Sequence, residues 1–184
     1  MNFYAYVKNN PILSGDPLGL GSPDFHNQTT YQEAREAGLS RQDAALLANA
    51  TSDVDFSVGS LISLSTAGFW NPKHCMPHSG CDAYIKEQFD KALNSPDKET
   101  ALKELAKAIH ALQDKSFHAD RDIGMLDHLI ARLPGGGTNP DDPLFNSGAA
   151  AAARGRTADI IRDFMKGRGY KKPAAPPNGD IVEF

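Results

Sequence analysis

The chain has 184 residues, of which 40% are hydrophobic and 23% charged, and a formal net charge of -4. That length suits one domain with its own core rather than two. The acidic balance argues against a large nucleic-acid surface, which is ordinarily basic, and no apolar run approaches the ~20 residues that a membrane span needs.

Residues 1–28 are rich in Asn, Pro and Gly and show no lasting periodicity, so they read as an extended, turn-broken lead-in. The start, "MNFYAYVKNN", is polar and lacks the apolar centre of a signal peptide, so no export address is expected within it. In "TTYQEAREAGLS", Thr30 followed by Glu33 has the spacing of a capping box, and Gly38 is placed to close the helix it opens. Ser40 with Asp43 starts the next helix, "SRQDAALLANATSDVDF", in which Ala44, Leu47, Ala48 and Val54 form the apolar stripe. Residues 57–69 fit a strand or an irregular buried segment, and residues 70–81 a loop. Cys75 and Cys81, the only two cysteines, lie in that loop. A short disulfide and a pair of metal thiolates both fit their spacing, with the disulfide favoured.

"CDAYIKEQFDKALN" carries Tyr84, Ile85, Gln88, Phe89 and Leu93 at helical spacing, and Ser95-Pro96 breaks it. "DKETALKELAKAIHALQDKSFHA" is the strongest helix, with acidic residues in its first turn and Leu102, Leu105, Ile109 and Leu112 on one face. "LPGGGTNPDDPLFNSG" is a loop, "AAAAARGRTADIIRDFMKG" a last helix stopped by Gly167, and residues 171–184 a Pro-rich tail. Strand alternation is missing and nothing repeats. The expected fold is therefore all-α, a single-domain helical bundle with long loops, an extended lead-in and a Pro-rich tail.

Three of the six histidines, His110, His118 and His128, fall within twenty residues. His110, Asp114 and His118 follow one another in steps of four, which keeps their side chains on nearly one helical stripe. His and Asp both ligate zinc. A rise of about 1.5 Å per residue separates His110 from His118 by roughly 12 Å along the axis, so the two rings should serve different ions. Asp114 lies between them, and its two oxygens can bridge a pair. A site of several metals is the kind that phosphodiester hydrolysis uses. Additional donors are His26, Asp53 or Asp55 at the end of the second helix, His74 or His78 in the cysteine loop, and the acidic loop "NPDDP".

Two family resemblances bear on these residues. "NFYAYVKNNPILSGDPLGL" resembles the end of Rhs/YD-repeat shell proteins, of the form N-x-Y-x-Y-x-x-N-N-P…D-P-x-G-L. The resemblance implies that residues 1–20 are the closing and cleavage region of the shell. Residues 21–170 would then be a polymorphic toxin domain and 171–184 its tail. Such toxins are secreted, frequently by type VI secretion, delivered into a rival cell, and paired with an immunity protein.

Residues 26–165 resemble the zinc-dependent phospholipase C and single-strand-nuclease superfamily, through "HNQTTYQEAREAGLSRQDAALLANATSDVDF", "HALQDKSFHA", "GMLDHL" and "NPDDP…RTADII". The family pattern implies metal ligands at His26 just before the first helix, Asp55, a loop histidine (His78, with His74 the alternative), His110, Asp114, His118, His128 and an acid at Asp142. It departs where the family's last acid follows the final His by one helical turn, since Arg132 stands there and Asp127, Asp141 or Asp142 must substitute. The implied cofactor is zinc, two or three ions, with manganese or iron able to replace it. Asp55 is the candidate general base, and Asp55 and Asp114 are the candidate catalytic carboxylates. The implied activity is hydrolysis of membrane phospholipid. The alternatives are a nuclease toxin of the same fold and a non-enzymatic module held by structural zinc.

Overall fold

A computed structural model describes residues 23–55, 72–75, 80–118 and 146–170. Among these residues the fold is all-α. The elements are α1 (Pro23–Ala37), α2 (Arg41–Asp53), a 3-10 turn (Pro72–His74), α3 (Cys81–Asn94), α4 (Lys98–Phe117) and α5 (Ser147–Gly167). No described helix is long and apolar enough to cross a membrane. Residues 1–22 of the expected lead-in, residues 57–69, the loop after His118 and the tail lie outside the described residues, whereas residues 23–28, expected to be extended, are helical.

α4 is the central element, packed against α2, α3 and α5, while α1 lies across α2 and α5. Leu102, Leu105 and Ile109 on α4 are fully buried with Leu47 of α2 and Ile161 and Phe164 of α5. Leu112, expected on the same face, is only half-buried. Two smaller clusters flank this core. In one, the Phe25 and Phe117 rings meet edge to face with centroids 5.3 Å apart. In the other, a disulfide joins Cys75 to Cys81 and rests on Ala111, so these cysteines do not serve as metal thiolates.

Local chemistry sets most helix ends. Ser40 caps α2, its hydroxyl accepting from the Asp43 N–H at 3.1 Å and bonding the Asp43 carboxylate at 2.9 Å. Asp97 caps α4 by accepting from the Thr100 N–H at 2.8 Å. Gly38, at φ 106°, ends α1: its own N–H bonds the Arg35 carbonyl and the Leu39 N–H reaches back to Ala34. Only glycine takes that left-handed turn without steric cost.

Two boundaries differ from expectation, and the third agrees for a different reason. α1 opens at Pro23, seven residues before Thr30, because proline at a first helical position loses no hydrogen bond and already holds the helical φ. Thr30 is therefore not a cap but a buried mid-helix residue, and His26 lies on α1 rather than ahead of it. α2 ends at Asp53, so Asp55 stands in the turn just beyond. α5 ends at Gly167, as expected, but that residue is not the left-handed one. The left-handed residue is Gly169, at φ 69°, with the Gly169 N–H on Lys166 and the Tyr170 N–H on Met165. Gly167 instead lies against Leu93 of α3, where an added Cβ would fall 2.7 Å from the Leu93 side chain. Arg168 secures this junction by donating to the Leu93 and Ser95 carbonyls at 3.1 and 2.7 Å.

Candidate metal centre

Four chain segments bring six potential ligands into the interior. α1 contributes His26. The turn after α2 contributes Asp55, and the 3-10 turn contributes His74. α4 contributes His110 and Asp114 one turn apart, with His118 at its C-terminal cap. His26, His110, Asp114 and His118 have no exposed surface, and His74 and Asp55 are buried.

Asp114 is the hub. Its Oδ1 lies 3.2 Å from His26 Nε2, and its Oδ2 lies 3.0 Å from His74 Nδ1 and 3.2 Å from His110 Nε2. His110 Nε2 is also 3.1 Å from His74 Nδ1 and 3.5 Å from Asp55 Oδ1. The Asp55 oxygen is 3.9 Å from His74 Nδ1. Two sets of three donors follow, His26–His110–Asp114 and Asp55–His74–His110, each with ligand atoms within 4.8 Å of one another. They share His110, and each Asp114 oxygen faces a different flank. These groups could hold a metal ion.

The chemistry of the donors fits a cation. Bonds of about 2.0–2.1 Å in a tetrahedral zinc shell separate neighbouring ligands by about 3.3 Å, close to the spacings here. His26 Nε2, His74 Nε2 and Asp114 Oδ1 are buried without a hydrogen-bond partner. The 3.2 Å approach of His26 Nε2 to Asp114 Oδ1 is thus a close contact that lacks hydrogen-bond alignment. Buried polar atoms are nearly always satisfied, so His26 Nε2 and Asp114 Oδ1, orphans that face each other, point to an occupant.

Outer contacts orient the rings. His110 donates its Nδ1–H to the Thr51 carbonyl at 3.0 Å, and His118 donates its Nδ1–H to the His74 carbonyl at 2.8 Å. Each carbonyl can only accept, so the hydrogen is on Nδ1, which leaves Nε2 as the coordinating nitrogen. His26 Nδ1 lies 2.6 Å from Gln113 Oε1.

Without an ion these groups perturb one another strongly. Burial alone would push the His26 imidazole down, but the Asp114 carboxylate 3.2 Å from its Nε2 outweighs it, with help from Asp55 and Gln113, and its pKa is raised to about 10. His110 goes the other way, to about 4: burial dominates, Asp114 opposes it, and the neighbouring His26 and His74 rings add to it. Burial disfavours the Asp114 carboxylate, yet His110 and His26 hold it well below the usual carboxylate range. Without an ion, the positive charge beside the Asp114 carboxylate is thus that of a protonated His26.

Of the residues singled out in the sequence, His26, Asp55, His110, Asp114 and His118 are all buried in this region. Asp55 belongs to a donor set, whereas Asp53 is exposed. Of the two loop histidines, His74 enters the centre, and His78 lies outside the described residues, as do His128, Asp127, Asp141 and Asp142. His118 shares no donor set with His110. Sequence reasoning passed over Gln113, Thr157 and the Thr51 carbonyl, and read Thr30 as a helix cap. Gln113 did carry a signal, being a polar residue on a helix whose other inward positions, Ser116 apart, are apolar or candidate metal donors. A cleft lined by Glu33, Arg162, Met165 and Tyr170 shares no residue with the centre. Compared with known proteins, the chain matches no family model, no curated protein and no solved structure.

Proposed function

We propose that this chain carries the toxin domain of an Rhs-type secreted effector and that the domain is a metal-dependent phosphoric ester hydrolase of the phospholipase C type. One observation carries the catalytic part: two buried donor sets share His110, and Asp114 faces both. A single structural zinc needs one closed set of four ligands, whereas adjoining sets suit a hydrolytic centre. The Rhs shell, an immunity protein and delivery into a target cell follow from the resemblance of residues 3–20.

His26, His110 and Asp114 would hold one ion, and Asp55 and His74 would contribute to a neighbouring one, with His118 and the resemblance-assigned His128 and Asp142 as further ligands. Zinc, when bound, supplies a water of pKa lowered towards ~7 and a Lewis acid for phosphoryl oxygens. The remaining work falls to the chain. The buried rings keep bulk water away, and His110 and His118 present Nε2 in a fixed tautomer. Asp55, in the turn after α2, would be the carboxylate that takes up a proton at its Oδ atoms. An acidic chain favours a lipid headgroup phosphate over a nucleic-acid backbone, because counter-charge for a polyanion comes from a basic surface.

The test incubates the purified chain with phosphatidylcholine–phosphatidylglycerol vesicles and, separately, with single- and double-stranded nucleic acid, each with and without chelator. Chelator-sensitive release of phosphorylated headgroup supports the proposal. Chelator-sensitive cleavage of nucleic acid alone replaces it with a nuclease toxin. Toxicity that survives chelation, with no hydrolysis of either, overturns both enzymatic readings.

A further inference from the structure

We infer that Gln113 is a positioning residue for metal uptake: it fixes the hydrogen of His26 on Nδ1 and thereby commits Nε2 to the metal centre. This rests on the metal reading above but concerns a residue outside both donor sets. The inference starts at the far end of a hydrogen-bonded chain. The Thr157 hydroxyl donates its single hydrogen to the Ala153 carbonyl at 2.8 Å. Its oxygen can then only accept from the Gln113 amide, 3.1 Å away. The Gln113 atom facing Thr157, and facing the Thr30 hydroxyl at the same 3.1 Å, is therefore the NH2 group. The amide oxygen is left pointing at His26 Nδ1, at 2.6 Å.

A carbonyl oxygen only accepts, so His26 Nδ1 must carry a hydrogen. The ring's other nitrogen, Nε2, faces Asp114 Oδ1. Flipping the amide would set its oxygen against the Thr157 oxygen with no hydrogen between them, and its NH2 against the Nδ1–H. Thr30, Gln113, Thr157 and His26 all have no exposed surface, so water does not substitute for any of these contacts. The chain also crosses three helices. Thr157 on α5 sets Gln113 on α4, and Gln113 sets His26 on α1. The His26 ring is thereby held by the packing of the bundle itself.

Three variants separate this role from simple packing. Gln113→Leu keeps the bulk and removes both polar ends. Gln113→Glu keeps an acceptor for the Nδ1–H, and the Thr30 hydroxyl can donate to its second oxygen. Thr157→Val removes the hydroxyl that orients the amide while nearly preserving its shape. Zinc affinity is read by competition with a chromophoric chelator, and the His26 tautomer by long-range nitrogen–proton NMR on the zinc-loaded chain. Losing an outer-shell partner typically weakens metal binding about 10–100-fold. That loss is expected for Gln113→Leu, a smaller one for Thr157→Val, and affinity within about threefold of wild type for Gln113→Glu. Wild-type His26 should show Nδ1–H. Equal zinc affinity in wild type and Gln113→Leu, equal loss in Gln113→Glu and Gln113→Leu, or a hydrogen on Nε2 of zinc-loaded His26 overturns the assignment. A wild-type chain that takes up no zinc overturns the metal reading itself, and this assignment with it.

Discussion

Replacing Asp114 by Asn keeps the side-chain shape and removes the charge that three imidazoles face, which makes it a sharp test of the centre. In the chelated protein the loss acts first through His26. Its pKa is raised from 6.5 to about 10 when folded, so the folded ring is charged at pH 7.5 while the unfolded one is mostly neutral. At about 1.36 kcal/mol per pH unit, the roughly 2.5 units between pH 7.5 and the folded value correspond to about 3 kcal/mol of stability. Breaking a buried ion pair by removing one partner costs a similar 3–5 kcal/mol or so. For a chain of this length about 3 kcal/mol lowers the melting temperature by roughly 6–12 °C. Because the His26 pKa is raised, its contribution is full below about pH 6.5 and is lost as pH rises through about 10. The gap between wild type and variant should therefore narrow at pH 10.5. Free zinc at about a hundred times its Kd adds about 2.7 kcal/mol to the wild type, and the variant should lose that gain as well. Melting followed by circular dichroism, with chelator and with zinc, reads all of these. A chelated variant melting within about 2 °C of wild type at pH 7.5, or one that zinc stabilises as much as wild type, refutes the assignment of Asp114 as hub.

Two other outcomes follow from the same centre. Zinc must displace the proton that His26 holds at pH 7.5, so calorimetry in buffers of different ionisation enthalpy should show about one proton released per chain from that ring; no release would mean that His26 stays out of the metal shell. The disulfide bond between Cys75 and Cys81 holds the residue next to His74 at φ 45°, a left-handed conformation uncommon away from glycine. Reducing it with a water-soluble phosphine should free the His74 turn and weaken zinc binding about tenfold or more while the helical signal persists, and unchanged affinity would show that the bond does not position His74.

The helices themselves were largely legible. Cys81–Asn94 emerges with the limits read from its spacing, and Ser40 and Asp97 cap α2 and α4 with acceptor groups that reach an N–H only three residues away. Such ends are decided by contacts within one turn, which the local sequence contains. Thr30 shows where that reasoning stops. Its spacing to Glu33 imitates a cap, but Pro23 starts the helix earlier and Gln113, 83 residues further on, claims the Thr30 hydroxyl.

The centre divides along the same line. The step from His110 to Asp114 is set by helical geometry alone, so that pair was visible in the sequence. Their spacing alone did not give the partners they meet: His26 from α1, Asp55 rather than Asp53, and His74 as the loop donor all depend on how α1, α2 and the cysteine-bridged turn are laid against α4. The sequence by itself determined most of the helices, the caps of α2 and α4 and the His110–Asp114 step, because hydrogen bonds and periodicity act over a few residues. Only the tertiary structure decided which imidazoles and carboxylates share one dry volume, because that choice is made by burying the apolar faces of several helices at once.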